Sequence, residues 1–304
     1  MSQTLRRGMY ARLRPQQYEQ EIMRLYGGTL EPYLQGINSL LDIGTFTHFS
    51  MILELCCGTG LATQEIVKKE HMFIKSCDAN FSFLQYAKEH VKEIYYNMYW
   101  PTLPVEFFQA DMTQWDPSTK KTKSEYDGPY SHVILSNAMT EIIDETPIFA
   151  LAYTQLFPKG EFLFNVKIVD GKKSYPQQIF EYVAEKYRKE FPQGTNLADF
   201  VSPTKTKEDI VSLLQEQDFT MCQFKERSYP FSEEGQRLYA LHLRDRVYEY
   251  LLNARTCRKG SVEARRILGD LEWDFQQALA YGRAQNKDFA HMKTELLICA
   301  KKRS

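Results

Sequence analysis

The chain has 304 residues, 43% hydrophobic and 25% charged, with 15 Gly and 12 Pro; this ordinary globular usage excludes collagen, disorder and a disulfide scaffold. At about 100–200 residues per domain, the length suits two small domains or one large α/β domain with an insertion. With 38 Lys+Arg against 39 Asp+Glu the formal charge is -1, so the chain lacks the basic excess of a dedicated nucleic-acid binder and any charged partner must meet a local patch.

Arg6 and Arg7 near the N-terminus are followed by no apolar stretch of about 7–15 residues, and no run of about 18 apolar residues occurs anywhere. The expectation is a chain that is neither exported nor membrane-spanning. Cys56, Cys57, Cys77, Cys222, Cys257 and Cys299 form no C-x-x-C pair, which speaks against a zinc site and for a reducing, cytoplasmic home. The His residues are dispersed without ligand spacing, so no metal is expected.

From residue 50 onward, short Ile/Val/Leu/Phe runs alternate with segments of helical period, the pattern of βα units on a mostly parallel sheet. Residues 51–55 read as a buried first strand that leads through Cys56-Cys-Gly-Thr-Gly60 into a helix to about 69. Residues 72–78 read as the second strand and 81–98 as its helix, with Leu84, Ala87, Val91 and Ile94 on one face. Residues 105–109 and 132–136 give strands three and four. A helix from about 145 to 156 is expected to stop at Pro158-Lys-Gly160, before a fifth strand at 161–166. Residues 176–190 and 205–217 read as helices, 219–224 as strand six and 294–300 as strand seven, with helical composition through 233–288. The organisation expected is an N-terminal helical arm (1–49), a core (50–232), a helical insertion (233–290) and a last core strand (291–304).

Glu54-Leu-Cys-Cys-Gly-Thr-Gly60 is the strongest local signal. Small residues at a strand-to-helix junction let the backbone turn sharply and approach a ligand. Such a turn suits a dinucleotide, a nucleoside or merely tight packing. The third glycine of the dinucleotide fingerprint is missing, since Leu61-Ala62-Thr63 follows. Glu54 offers a carboxylate to a bound cation, which favours a positively charged ligand over a pyrophosphate. Asp78 ends the second strand, where an acid accepts from ribose hydroxyls in this topology. Asp111-Met112 and Ser136-Asn137 end the third and fourth strands. By the crevice rule for open α/β sheets, these strand ends line one pocket.

Glu54-Leu-Cys-Cys-Gly-Thr-Gly60, Asp78-Ala-Asn-Phe-Ser-Phe-Leu-Gln-Tyr-Ala87, Ala110-Asp-Met112, Leu135-Ser-Asn137 and Leu156-Phe-Pro-Lys-Gly160 resemble, in content and order, the motifs of the class I S-adenosylmethionine-dependent methyltransferases. The resemblance spans about residues 50–170. It implies a Rossmann-like seven-stranded sheet and S-adenosyl-L-methionine as cofactor, with S-adenosyl-L-homocysteine as product. It also implies that Cys56, Gly58, Thr59 and Gly60 cradle the methionine part, Asp78 and Ala79 hold the ribose, and Asp111 with Met112 reads adenine, with Glu54, Leu84, Ser136 and Asn137 completing the cofactor set. Gln17-Tyr18-Glu19-Gln20 and the helical insertion are loosely similar to malonyl-acyl-carrier-protein O-methyltransferases, in which Tyr18 would sit on an arm over the cofactor.

Methyl transfer from a sulfonium is an in-line displacement in a dry site. A carboxylate nucleophile is already ionised at neutral pH and needs no base. Ser136-Asn-Ala-Met139 supplies neither an N-P-P-Y-like amine-methylating motif nor the Cys nucleophile of cytosine C5 methylation. A small-molecule or carrier-borne acceptor therefore remains, and a small or acyl-carrier-linked acid methylated at its carboxylate is the expectation. The catalytic candidates are Asn137 and Glu141, the latter equally suited to opening the next helix. Residues 237–266 hold eight Lys/Arg against three Asp/Glu, which suits either an anionic partner, with Arg244 as a contact, or a solvated helical face. Tyr10, Met139 and Tyr239 complete the substrate-side candidates. A protein that binds the sulfonium without transferring methyl is the alternative.

Overall fold

The computed structural model describes residues 13–26, 28–69, 71, 73–96, 105–112, 128–139, 145–167, 206–230, 258–285 and 291–304, with single positions within 182–187 and 234–252. Seven strands, β1 (Met51–Leu55), β2 (Phe73–Asp78), β3 (Val105–Gln109), β4 (Tyr130–Leu135), β5 (Leu156–Lys167), β6 (Phe219–Pro230) and β7 (His291–Lys302), form one sheet in the order β3-β2-β1-β4-β5-β7-β6. β7 pairs antiparallel with β5 and β6, and the remaining pairs are parallel. The expected seven-stranded, mostly parallel sheet is thus the one observed.

The helices are α1 (Pro15–Leu25), α2 (Glu31–Leu41), α3 (Leu61–Ile66), α4 (Phe81–Tyr96), α5 (Thr146–Gln155), α6 (Lys207–Glu216) and α7 (Val262–Gln285). The central strands are apolar at successive positions because both faces are covered. Ile52, Ile74, Ile134, Leu163 and Leu297 pack with residues of α1, α2, α3 and α7, whereas Leu53, Val133, Leu135, Phe162, Phe164 and Ile298 pack with α5 and α6. On the second face Phe149 meets Phe162 and Phe164 at ring-centroid distances of 5.2 and 5.0 Å. Each such buried ring contributes roughly 1.5–3 kcal/mol. On the first face α2 is built into the core, burying Tyr33, Ile37, Leu40 and Leu41. No described helix is long and apolar enough to cross a membrane.

One predicted boundary is corrected. α5 ends at Gln155, and Leu156–Gly160 already belong to β5. The Pro-Lys-Gly tripeptide turns the entry of the strand instead of stopping the helix: Lys159 takes φ 67, and a Cβ on Gly160 would lie 2.9 Å from the Phe157 carbonyl oxygen. The strands also run longer than the apolar runs imply, β5, β6 and β7 each to 12 residues, because ladder pairing extends beyond the segment that must be apolar. Most of the helix expected over 176–190 lies outside the described residues.

The segment joining α2 to β1 is pinned at the amino edge of the sheet. Glu161 of β5 accepts from the Thr45 backbone N–H at 2.8 Å and from its hydroxyl at 3.0 Å. His132 Nε2 lies 3.3 Å from the same carboxylate, and Lys301 Nζ is also 3.3 Å away. Phe46 stacks on the His132 ring at 4.5 Å. Burial pushes the Glu161 carboxyl up, but His132 and the two Thr45 bonds outweigh it and hold it at about 2, below its ordinary 4.5. An acid depressed in this way stabilises the fold fully above its unfolded value and loses that contribution as pH falls toward the folded one. Glu161→Gln is expected to lower unfolding free energy by on the order of 3 kcal/mol at pH 7. The gap should narrow below about pH 4.5 and close near 2. Denaturant unfolding over that pH series measures it, and a pH-independent gap rejects the linkage.

Candidate active site

Strand order reverses between β1 and β4, and the crevice at their carboxyl ends is where an open α/β sheet binds ligands. The turn leaving β1 enters it with three left-handed residues, Cys56 (φ 55), Gly58 (φ 56) and Gly60 (φ 84). Each glycine has its own reason. A Cβ on Gly60 would lie 2.9 Å from Ala87 Cβ and 3.1 Å from Ala87 Cα, so only glycine lets the loop rest on α4. A Cβ on Gly58 would meet no protein atom within 4 Å, so that turn faces open space.

Partners on β2 fix the loop. Cys57 N–H donates to the Cys77 carbonyl at 2.9 Å, and Gly58 N–H donates to Asp78 Oδ2 at 2.9 Å. Asp78 Oδ1 accepts from Asn80 N–H at 2.8 Å. Burial pushes the Asp78 carboxyl up, and the backbone N–H bonds to it pull the other way. Ala79 is exposed in the turn, its carbonyl accepting from Gln109 Nε2 at 2.9 Å. Leu84 is buried on α4. Thr59 is buried, and its hydroxyl has no partner among the described residues. Cys56 Sγ lies 3.6 Å from Met112 Sδ, and burial pushes the Cys56 and Cys57 thiols up, which makes them poor nucleophiles. Asp111 is partly buried beside the buried Met112.

Glu54 sits beneath the loop. Its Oε2 accepts from Thr63 at 2.6 Å and from Ser76 at 2.7 Å, while Oε1 is buried without a partner among the described residues. Burial pushes its carboxyl up to about 7 against the pull of those two hydroxyls.

At the end of β4, Ser136 is buried and Asn137 adopts φ 57, a conformation that costs a non-glycine residue roughly 1–2 kcal/mol. Asn137 N–H donates to Asn165 Oδ1 at 2.6 Å, and Asn165 Nδ2 donates to Asn137 Oδ1 at 2.7 Å. The Tyr33 hydroxyl, from α2, lies near Asn137 and Tyr18, and burial pushes its phenol up. Tyr18 packs on Phe83 of α4 with ring centroids 5.2 Å apart.

The structure thus brings together Tyr18, Glu54, the 56–60 loop, Asp78, Asp111, Met112, Ser136 and Asn137. Met139 is buried in the apolar cluster under α5. Arg244 is ion-paired with Asp245 at 2.7 Å and lies 3.7 Å from Glu272, and Arg237 and Arg266 pair with Glu234 and Glu263. Tyr10, Glu141 and Tyr239 lie outside the described residues. Asn165 and Tyr33 were missed as site residues. The signal for the first was a lone polar residue inside the apolar run Glu161-Phe-Leu-Phe-Asn-Val166.

No family model matches the sequence, and no curated relative matches it. Solved structures do. A protein of inferred methyltransferase activity from Bacillus halodurans C-125 is 15% identical, with a TM-score of 0.53, over 89% of this chain and 100% of that one. Phosphoethanolamine N-methyltransferase 2 of Haemonchus contortus, solved with phosphomonomethylethanolamine and S-adenosylhomocysteine, is 14% identical with a TM-score of 0.51, over 93% of this chain and 56% of that one. The [4+2]-cyclase SpnF is 10% identical with a TM-score of 0.52, over 94% of this chain and 95% of that one. The fold is therefore that of the methyltransferases, as the motif order implies.

Two substitutions test the turn and the acid beneath it. Gly60→Ala is expected to destabilise by about 2–4 kcal/mol through overlap with α4 and left-handed strain, and Gly58→Ala by only about 1–2 kcal/mol; equal losses in denaturant unfolding refute the packing assignment. An acid raised to about 7 favours the fold most below its unfolded value of 4.5 and loses that advantage as pH rises through 7. The unfolding free energy of the parent should fall between pH 4.5 and 8 by about 3 kcal/mol more than that of Glu54→Gln, and parallel profiles reject it.

Proposed function

We propose that the chain is an S-adenosylmethionine-dependent methyltransferase that transfers methyl to a small-molecule or carrier-linked acid, at a carboxylate oxygen. The observation that carries the cofactor assignment is the cradle at the switch point. Among the described residues nothing fills the Cβ side of Gly58 and nothing bonds the Thr59 hydroxyl, and the turn is tied to Asp78. A backbone turn left open above two acids suits an extended, positively charged nucleoside better than a phosphate.

In this assignment the turn from Cys56 to Gly60 holds the amino-acid end, Asp78 takes the ribose hydroxyls and Asp111 with Met112 takes the base. When bound, S-adenosylmethionine supplies a methyl group activated on a sulfonium. Glu54 and Asp78 provide negative potential at that end of the cleft. Tyr18 and Tyr33 cover the crevice from α1 and α2 and exclude water, which sharpens every electrostatic contact inside. The Asn137 amide, at the end of β4, faces the position an acceptor would take. An acceptor carboxylate arrives ionised, so orientation and desolvation are the protein's contribution.

A second reading, binding without methyl transfer, is supported by the likeness to a [4+2]-cyclase, which has this fold and a different chemistry by name. Calorimetry separates the possibilities. S-adenosylmethionine and S-adenosylhomocysteine are each expected to bind the folded protein, and Asp78→Ala to weaken both at least tenfold by removing the ribose acceptor and the Gly58 tether. No binding of either rejects the assignment. Labelled cofactor with a panel of free acids, acyl thioesters, phenols and amines should label acids or acyl carriers; transfer confined to nitrogen or phenolic oxygen rejects the carboxylate, and binding without turnover supports the second reading.

A further inference from the structure

The parallel register that pairs Leu135 with Phe164 sets the end of β4 beside Asn165. A backbone N–H can only donate, so the end of the Asn165 amide 2.6 Å from Asn137 N is its oxygen. Its nitrogen therefore faces the other contact, 2.7 Å away, and that atom must be an acceptor: Asn137 Oδ1. The two bonds leave no freedom in either amide. Asn137 Nδ2 is turned away from β5 and gives one of its two N–H groups to Ser136 Oγ at 3.2 Å. A hydroxyl oxygen that accepts from this amide keeps its own O–H to donate. Asn165 is buried on the sheet, whereas Asn137 is partly exposed at the carboxyl edge.

We propose that Asn165 is a positioning residue that sets acceptor specificity: by locking the Asn137 amide with its N–H end outward, it makes the end of β4 a hydrogen-bond donor that selects a carboxylate or carbonyl oxygen over an amine. The inference rests on the assignment of this crevice as the methyl-transfer site and names the group that would discriminate there. A donor fixed in this way pairs with an anionic oxygen in a charge-assisted bond and presents nothing to an ammonium ion. Asn165 would never touch the substrate.

Replacing one amide by a carboxylate inverts the polarity. In Asn165→Asp both oxygens can only accept, so the Asn137 amide must rotate to give its Nδ2 to residue 165 and turn Oδ1 to the crevice. Asn137→Asp reaches the same end differently, since Asn165 Nδ2 holds one carboxylate oxygen and the other faces outward. Hexanoate and hexylamine, matched in length and opposite in charge, are titrated calorimetrically into the full-length parent and both variants, with and without saturating S-adenosylhomocysteine. Thermal melts identify folded protein. The parent is expected to prefer hexanoate at least tenfold, and each folded variant to lose at least tenfold of that preference, while the affinity of Asn165→Asp for S-adenosylhomocysteine changes by less than about threefold. An unchanged preference in a folded variant overturns the proposal, as does a parent that binds neither probe or favours the amine. If Asn165→Asp does not fold, Asn137→Asp decides. Failure of S-adenosylhomocysteine to bind the parent overturns the cofactor assignment instead, and the probe titrations without it still decide the role of Asn165.

Discussion

The turn after β1 exists only because β2 supplies partners for its backbone. Three left-handed residues in five leave N–H groups that no helix or ladder can satisfy, and a buried N–H without an acceptor is rarely tolerated. The Cys77 carbonyl and the Asp78 carboxylate take two of them. Asp78 is thus structural before it is anything else, and its second oxygen holds the N–H of Asn80, whose side chain accepts from Ser82 N–H in the first turn of α4. α4 in turn brings Ala87 against Gly60. Loop, acid and helix form a closed cycle of constraints, and the opening above Gly58 is what remains when each is met.

The crevice concentrates negative charge at some cost to the empty protein. Glu54 is desolvated, with one oxygen unbonded, and Asp78 is raised by burial and by Asp111. An isolated buried carboxylate is strongly disfavoured, and Glu54 meets this by moving toward neutrality near pH 7. A cationic ligand restores the ionised form, so binding and proton release are linked there. The acid at the other sheet edge does the reverse. Glu161 has two bonds from Thr45 and two cationic or protonatable neighbours, and it stays ionised to about 2.

What the sequence revealed and what it hid differ by the range of the interaction. Met51-Ile-Leu-Glu-Leu55, the glycines after it and Asp78 are local signals, each interpretable within a few residues, and they place the fold and the β1–β2 side of the crevice. Asn165 is different: nothing near it in the chain shows that it meets Asn137, because the contact depends on the register between β4 and β5. Tyr33 shows only as one of many aromatic residues until α2 docks on the sheet. Arg244 shows both ranges at once: its partner Asp245 is the next residue, at 2.7 Å, whereas Glu272, 3.7 Å away, lies on α7 and is not legible from the residues around it. The strand entry at Pro158–Gly160 contains the residues of a helix stop and uses them for a kink in β5.

The covered face explains why the N-terminal helices bring tyrosines to the sheet. α1 and α2 lie over the same face of the sheet as Glu54, Asn165 and α7, and their rings join one cluster with Ile267, Leu271 and Phe275. A wholly aliphatic cover would strand the polar groups at the strand ends beneath it, and a polar cover would admit water. Tyrosine does neither, having an apolar ring and a hydroxyl at its tip. Tyr33 packs edge-on against Tyr26 at 5.5 Å while its hydroxyl reaches Asn137. The same side chain therefore closes the core and finishes the polar site, so the N-terminal helices are part of the crevice and not an appendage to it.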